Sequence, residues 1–325
     1  MTTSVKSSSR TRTSRTKTRR TAVSAVAFAA MAALLAGCGS GGDTSDPLAE
    51  GGGDGDTVVV GSNNFAESIL LADIYGEALK AKDIKVTYKP NIGSRETTYG
   101  LMKNGSVTVL PEYNGSLLAY LDAKGTPPKT VAETTTAIEA KLDPKLTLLE
   151  PSSAQNKDSV TVNAETAKKY GLTAQSSIAD LKDAAPDLVF GGSPEFQTRQ
   201  QGLVGLKSLY GLEFKSFKAL DAGGPLTQTA LKKNTVQAAD VFTTDPTIAQ
   251  EKFVVLKDTK NLFGFQNVQP LVHKDGLPQK GVDALNAVSA KLDTKTLLDL
   301  DAQVQLEKKD PLDVARTWLK SAGLG

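Results

Sequence analysis

The chain has 325 residues, of which 39% are hydrophobic and 23% are charged, a composition that excludes an intrinsically disordered protein. Seven of the 38 basic side chains lie in residues 1–37, which leaves 31 basic against 36 acidic residues, a net charge of about −5, in the remainder. This remainder lacks the basic excess of a nucleic-acid-binding domain, so we expect no nucleic-acid partner.

The N-terminus has the three parts of a secretion signal. Residues 1–20 are basic, residues 22–35 are apolar, and the sequence Leu35-Ala36-Gly37-Cys38 follows. The apolar run is too short for a permanent membrane span, which needs about 20 residues. The Leu-Ala-Gly-Cys pattern is typical of bacterial lipoproteins. We therefore predict a signal peptide over 1–37 and lipidation at Cys38; the alternative is an ordinary signal peptide followed by a chance cysteine.

Residues 38–56 are predicted to be a flexible tether, because seven glycines alternate with small polar residues there. Cys38 is the only cysteine, which excludes an internal disulfide and a thiolate metal site. The chain also lacks a phosphate-binding loop and an H-E-x-x-H motif. We expect no cofactor, no metal and no enzymatic activity; an exported hydrolase that uses two carboxylates is the alternative.

From Thr57 onward the chain alternates short strands with amphipathic helices. The first helix follows Asn64, and Glu67 three residues later resembles a capping box. This alternation predicts an α/β fold with mostly parallel sheets and helices on both faces. The predicted strands are Thr57–Val60, Ile84–Tyr88, Val107–Leu110, Leu146–Leu149, Ser159–Val162, Leu188–Phe190, Phe214–Phe217, Ala239–Phe242, Val254–Leu256 and Val268–Val272.

Turn-forming residues cluster after four of these strands, at 61–64, 111–115, 191–194 and 243–246. Ligands of such sheets bind beyond the carboxyl ends of the strands, so we expect a binding cleft there. Asn63, Thr244 and Asp245 lie in these turns and are candidate ligand contacts. Asp245 precedes a proline, so capping of the next helix is its alternative role.

Arg199 is the most informative charged residue. It lies on a helix predicted to begin at Pro194, on the same face as the apolar residues. This apolar stripe consists of Phe196, Leu203, Leu206 and Tyr210. A charge on a buried face must be paired. Arg199 is therefore either a guanidinium that binds a ligand carboxylate in the cleft or one half of an internal salt bridge.

Three aromatic residues lie at or near the predicted strand ends. Tyr113 directly follows a strand and can present its ring face to a cation, although a place in the rim or the core is the alternative. Phe242 and Phe265 are further candidates for such a contact, with ordinary core packing as their alternative.

Several motifs resemble those of the substrate-binding proteins of osmoprotectant ABC transporters, the glycine betaine/carnitine/choline group. The similarity extends over nearly all of 57–324. The motifs are Gly61-Ser62-Asn63-Asn64-Phe65-Ala66-Glu67, Pro111-Glu112-Tyr113-Asn114-Gly115-Ser116, Glu195-Phe196-Gln197-Thr198-Arg199, Tyr210-Gly211-Leu212 and Phe242-Thr243-Thr244-Asp245.

The resemblance implies a two-lobed periplasmic-binding-protein fold (type II-like) with a central ligand cleft. Residues 57–158 plus 267–325 would form the first lobe and 159–266 the second. In this family an aromatic box surrounds a quaternary ammonium group and an arginine binds a carboxylate, roles that Tyr113 and Arg199 match. The matching motifs also make Phe65 and Asn114 candidate ligand contacts.

Two departures from the family pattern concern the ligand. Asn63 stands where the family has a lysine, and Asn156-Lys157-Asp158-Ser159 lacks the tyrosine that supplies a second ring of the box. A different small polar solute is therefore the alternative ligand.

The hypothesis that follows is a monomeric solute receptor, lipid-anchored on the extracytoplasmic face of the cell membrane. It would deliver a glycine betaine-, choline- or carnitine-like osmolyte to an ABC permease and its ATPase.

Overall fold

The computed structural model describes residues 57–125 and 128–325. The predicted signal peptide, Cys38 and the tether lie outside these residues. Within the described part of the chain, no helix is both long and apolar enough to cross a membrane.

Two five-stranded sheets organise the described residues, and each predicted strand overlaps one of their ten strands. The first sheet has the order β2-β1-β3-β10-β4 and the second has the order β7-β6-β8-β5-β9. The strands are β1 Thr57–Asn63, β2 Lys85–Gly93, β3 Val109–Tyr113, β4 Leu146–Leu148, β5 Val160–Val162, β6 Val189–Gly192, β7 Ser216–Ala219, β8 Ala238–Asp240, β9 Val254–Val255 and β10 Val268–His273. We call the elements around each sheet the first and the second lobe.

The helices connect the strands and pack on the sheet faces. The first lobe also holds the three C-terminal helices, of which the last packs against α1. The helices are α1 Ala66–Lys80, α2 Arg95–Lys103, α3 Asn114–Leu121, α4 Val131–Glu139, α5 Ala164–Tyr170, α6 Leu203–Tyr210, α7 Pro225–Lys232, α8 Thr247–Gln250, α9 Gln279–Lys291, α10 Thr294–Gln305 and α11 Pro311–Ser321.

The α/β two-lobed fold is confirmed, but both sheets are mixed where mostly parallel sheets were expected. In the first sheet β1 pairs in parallel with β2 and β3, whereas β10 runs antiparallel to β3 and β4. The second sheet repeats this arrangement around β6 and β5. Among the described strands, every antiparallel pairing involves β5 or β10, the first strand after each crossing between the lobes. Such a strand begins beside the carboxyl ends of the parallel strands, because the chain enters the lobe there, so it runs in the opposite direction.

Each lobe has its own hydrophobic core. In the first lobe Leu70, Ile74 and Leu79 of α1 are fully buried against the sheet. In the second lobe Phe190 of β6 and Leu206 of α6 are fully buried in one hydrophobic cluster. Burial of one such side chain contributes about 1.5–3 kcal/mol, so each lobe is a stable platform for the residues at its strand ends.

The two segments that cross between the lobes pair with each other. Gln155 and Asn267 form an isolated antiparallel bridge, and the backbone N–H of Asn156 donates to the carbonyl of Gln266. These crossings form a two-stranded hinge beside the cleft. The exact lobe boundaries at 158/159 and 266/267 stay predictions.

Candidate functional site

A cleft lies between the carboxyl ends of the parallel strands of the two lobes. Both lobes and the hinge contribute to its wall. The cleft lies at the strand ends, where the turn-forming residues predicted it. The lining residues are Asn63, Asn64, Phe65, Ser94, Arg95, Tyr113, Ser116, Asn156, Asp158, Ser193, Glu195, Arg199, Ala222 and Phe242. Five of the predicted site residues therefore meet here: Asn63, Phe65, Tyr113, Arg199 and Phe242.

Three aromatic rings form a continuous patch in the cleft. The ring of Phe65 lies 5.8 Å from that of Tyr113 and 4.9 Å from that of Phe242, measured between centroids. Phe65 is the residue before α1, Tyr113 ends β3, and Phe242 follows β8 by two residues. Because Phe242 belongs to the second lobe, the patch is complete only when the lobes approach each other.

Glu67 sets the position of this patch. Its carboxylate is buried and accepts hydrogen bonds from the Tyr113 hydroxyl at 2.5 Å, from Asn156 Nδ2 at 2.8 Å and from the Thr244 hydroxyl at 2.5 Å. These donors come from the first lobe, the hinge and the second lobe.

The capping box predicted for Asn64 and Glu67 is wrong, because α1 begins after Phe65 and lacks a side-chain cap.

The Tyr113 hydroxyl is held in its protonated form. Burial, together with the nearby charge of Glu67, raises the pKa of Tyr113 well above its ordinary value. A neutral phenol donates its proton to a carboxylate acceptor, so the bond to Glu67 fixes the ring orientation. Tyr113 thus combines the two roles that the sequence left open: its ring lines the cleft, and its hydroxyl is packed in the core.

The turn that carries Tyr113 needs a glycine two residues later. A Cβ atom on Gly115 would lie 2.0 Å from the carbonyl oxygen of Phe265 in the returning segment. Close backbone approach therefore explains this part of the Pro111–Ser116 motif.

Arg95 is a site residue that the sequence reasoning missed. Its guanidinium makes a bidentate ion pair with Glu112, with contacts of 2.9–3.0 Å, and both side chains are buried. Glu112 also accepts the backbone N–H of Tyr113. The buried glutamate of the Pro-Glu-Tyr motif was the available signal, since a buried carboxylate requires a cationic partner.

Arg199 lies in the cleft, but not on the predicted continuous helix. A short 3-10 helix over Pro194–Gln197 is followed by a turn, and α6 begins only at Leu203. The break is located at Gly202, where a Cβ atom would lie 2.0 Å from the carbonyl oxygen of Phe196. The predicted helical stripe is therefore wrong as an explanation for Arg199.

The guanidinium of Arg199 pairs with Glu96 of the first lobe. The contacts measure 2.9–3.2 Å and are bidentate. Although burial opposes it, hydrogen bonding from Arg199 lowers the pKa of Glu96 to about 2. The side chains are 34% and 43% exposed, so this ion pair lies at the cleft mouth and joins the two lobes. Its role as a ligand carboxylate clamp stays a prediction.

Asp158 occupies the cleft wall in the segment that lacks the expected tyrosine. Burial raises its pKa, whereas the charges of Arg199 and Arg95 oppose this rise. Behind it lies Asp240, which is 2% exposed and whose pKa is raised well above its ordinary value by burial and by the charge of Asp158. The two carboxyl groups lie next to each other, and burial disfavours the charged form of both.

Thr244 and Asp245 lie in an adjoining cavity that shares Phe65 and Phe242 with the cleft. Thr244 contacts Glu67, as described above. Asp245 accepts the backbone N–H of Thr247 at 2.8 Å and the amide of Gln228 at 2.7 Å. Asp245 Oδ1 thus accepts from the N–H and the hydroxyl of Thr247, the first residue of α8, but the N-cap residue of that helix is Pro246 and not Asp245 as the capping alternative predicted.

Asn63 lines the cleft, and its Oδ1 accepts a hydrogen bond from Thr98. Asn114 and Phe265 do not line it. Asn114 is fully buried and its Oδ1 accepts the backbone N–H of Asn267, which ties the end of β3 to the returning segment. Phe265 lines a separate cavity beside α3. The geometry gives these two residues no contact with the cleft, contrary to expectation.

Solved structures share this architecture. The fold matches the crystal structure of a glycine betaine/carnitine/choline ABC transporter with a TM-score of 0.64 and 25% sequence identity, over 82% of this chain and 99% of that chain. The two mixed sheets and the cleft between them define a two-lobed solute-binding protein of the periplasmic type.

Residues 56–321 match the OpuAC family, described as the substrate binding domain of ABC-type glycine betaine transport systems, and the chain belongs to this family. Relatives include a glycine-betaine-binding protein of Pseudomonas aeruginosa, 29% identical over 84% of this chain and 90% of the relative. The glycine betaine-binding protein YehZ of Escherichia coli is 26% identical over 82% of this chain and 90% of its own length. The family expected from the sequence motifs is thus confirmed.

Proposed function

We propose that this protein is a lipid-anchored receptor that binds a small quaternary ammonium osmolyte and delivers it to an ABC importer. The observation that carries the proposal is the aromatic patch of Phe65, Tyr113 and Phe242, which both lobes build together. Aromatic ring faces attract cations that lack hydrogen-bond donors, with about 2 kcal/mol or more for a desolvated contact.

Ligand binding would favour closure of the lobes. A cation held between Tyr113 of the first lobe and Phe242 of the second contacts both only when the cleft is closed, so its binding energy stabilises that state. The Arg199–Glu96 pair and the Thr244–Glu67 hydrogen bond also join the two lobes in this arrangement. The membrane permease, powered by its ATPase, would recognise the closed form.

The anchor completes the proposal. Lipidation at Cys38 would hold the receptor on the extracytoplasmic face of the cell membrane, and residues 38–56 would give the binding body a limited radius of movement. The family and the named relatives support a transport role with a small solute as the cargo.

Calorimetric titration of the purified protein against glycine betaine, choline, carnitine and ectoine tests this function. Saturable heat without chemical change of the ligand supports a receptor. Chemical conversion of a ligand would favour the exported enzyme. Binding confined to a solute without a quaternary ammonium group would favour a receptor for another polar compound. The carboxyl group of Asp158 in the cleft wall is the observation that supports this second candidate, because it can accept hydrogen bonds from a polar ligand.

A further inference from the structure

Asp301 of α10 is a buried acid without a hydrogen-bond donor. The residue is 1% exposed, and within the described chain neither Oδ1 nor Oδ2 accepts a hydrogen bond. An ionised carboxylate in such a place has nothing to replace its lost hydration. A protonated carboxyl group avoids this penalty and needs only one acceptor for its proton.

The carboxyl group of Asp301 meets that of Glu67 where α10 packs against α1. Both residues are buried, and no lysine or arginine of the described chain forms an ion pair with either of them. Two adjacent buried carboxyl groups without a cation cannot both be ionised. Glu67 already accepts three donors, so it is the ionised member of the pair, and the Asp301 hydroxyl is a fourth donor to it.

The other ionisable groups around this pair supply no counter-charge. Tyr113 faces it as a neutral phenol, and Asp245 of the second lobe is a further acid. Burial, together with the charge of Glu67, raises the pKa of Asp301 well above its ordinary value, a rise that the nearby amide of Gln305 only partly opposes. The surroundings therefore favour the protonated form that the contact geometry requires.

The shared proton lies at the contact between the lobes. Glu67 lines the small cavity in which Thr244 and Asp245 of the second lobe approach the first lobe. When the lobes separate, Thr244 leaves Glu67 and water reaches this cavity, so the burial that favours protonated Asp301 decreases. Closure therefore takes up a proton, and a proton that the closed state binds more tightly favours closure.

We propose that Asp301 is a positioning residue which, as a protonated acid, holds Glu67 in place and links ligand binding to proton uptake. It does not line the cleft, and it acts through Glu67 on the ring of Tyr113 and on the closing contact with Thr244. The link to ligand binding rests on the proposed function, whereas the proton on Asp301 is independent of any ligand.

Infrared difference spectroscopy of the ligand-free full chain in mild detergent tests the proton itself. At neutral pH the wild type should show the carbonyl absorption of one protonated carboxyl group that Asp301→Asn lacks. Asp299→Asn is the matched control, because Asp299 is an exposed acid of the same helix, and it should leave this absorption unchanged. An identical carbonyl absorption in the wild type and in Asp301→Asn would show that Asp301 is ionised and would overturn the inference.

The affinity for glycine betaine and choline, measured from about pH 5 to about pH 9, tests the link to closure, because neither compound titrates in this range. The wild-type affinity should fall as the pH rises, by up to about tenfold per pH unit for one proton bound on closure. Asp301→Asn keeps a donor to Glu67 that needs no proton. It should bind within a few-fold of the wild type near pH 5 and have a flatter pH profile. Because Asp158 and Asp240 are further buried acids, the evidence is the difference between the two profiles.

Asp301→Leu has no donor and should weaken binding about tenfold relative to Asp301→Asn. A profile of Asp301→Asn as steep as that of the wild type would overturn the link to closure. Equal affinities of folded Asp301→Leu and Asp301→Asn would overturn the positioning role. If neither quaternary ammonium compound binds, the proposed function fails, and the infrared comparison by itself upholds or overturns the proton on Asp301.

Discussion

The hydroxyl of Thr244 in the second lobe donates a hydrogen bond to the carboxylate of Glu67 in the first lobe, and both side chains are buried. Glu67 also accepts the hydroxyl of Tyr113, whose ring lines the cleft. One carboxylate therefore connects the position of a ligand-facing ring with the contact between the lobes. Lobe closure and ring placement depend on the same group.

Replacement of Thr244 by valine should weaken ligand binding about tenfold. The substitution preserves shape but removes the donor that reaches Glu67 in the closed state, a charge-assisted bond of about 1.5–3 kcal/mol. Calorimetric titration measures the affinity, and small-angle scattering with saturating ligand measures closure. Thr229→Val, at an exposed position of the same lobe, is the control. Unaltered affinity and closure in Thr244→Val would remove this hydrogen bond from the closing mechanism.

Two substitutions at Tyr113 should separate its ring from its hydroxyl. Tyr113→Phe keeps the ring, so ligand affinity should stay within a few-fold, whereas the loss of a donor to buried Glu67 should lower the free energy of unfolding by about 1–3 kcal/mol. Tyr113→Leu also removes the ring face and should weaken binding about tenfold or more. Titration and denaturant unfolding measure the two effects. Equal affinities of the phenylalanine and leucine variants would argue against a cation contact at this ring.

Removal of Arg199 should weaken all ligands alike. Its guanidinium pairs with Glu96 across the cleft, so Arg199→Ala removes a closing contact that is worth about 0.2–1 kcal/mol for a partly exposed pair. Choline and glycine betaine affinities should then fall by the same small factor. The double variant with Glu96→Gln should lose little more than either single variant. A loss confined to glycine betaine would instead identify Arg199 as the clamp for a ligand carboxylate.

Stability should depend on pH through Asp73. Burial, with the neighbouring carboxylates of Asp310 and Glu77, raises the pKa of Asp73 from 3.8 to about 6. The folded state therefore binds this proton more tightly than the unfolded state, and the contribution of Asp73 to stability falls as the pH rises from about 4 to about 6. Asp73→Asn should stabilise the protein at pH 7 and lose that advantage near pH 4. Denaturant unfolding at both pH values measures the difference in stability between the variant and the wild type. Asp183→Asn, at an exposed position of the second lobe, is the control. An identical difference at pH 4 and pH 7 would refute the pKa shift assigned to Asp73.

The anchor prediction is tested by Cys38→Ser. Without the thiol no lipid can be attached, and residues 39–56, which are mostly glycine and small polar residues, have no long apolar run that could bind a membrane. The variant should still be exported but should appear in the soluble fraction after cell lysis. Firm membrane association of the variant would contradict lipidation at Cys38.

The sequence by itself determined the architecture and the family. Ten strands were predicted close to their observed positions, because a period of two in β-rich segments and turn residues at their ends are local signals. The motifs around Tyr113 and Arg199 also identified the family, and turn chemistry located the cleft at the strand ends. These properties depend on neighbouring residues in the chain, so they can be inferred without the fold.

Only the tertiary structure decided which side chains meet. Glu67 was predicted to cap a helix, yet it accepts donors from Tyr113 and from Thr244, which lies 177 residues further along the chain. In the sequence, Asp158 was noted only because its segment lacks the tyrosine of the family. Folding places its carboxyl group in the cleft, near two guanidiniums that already have partners. The charge of a site is the sum over residues distant in sequence. No local pattern contains that sum, so the chemistry of the ligand depends on the fold.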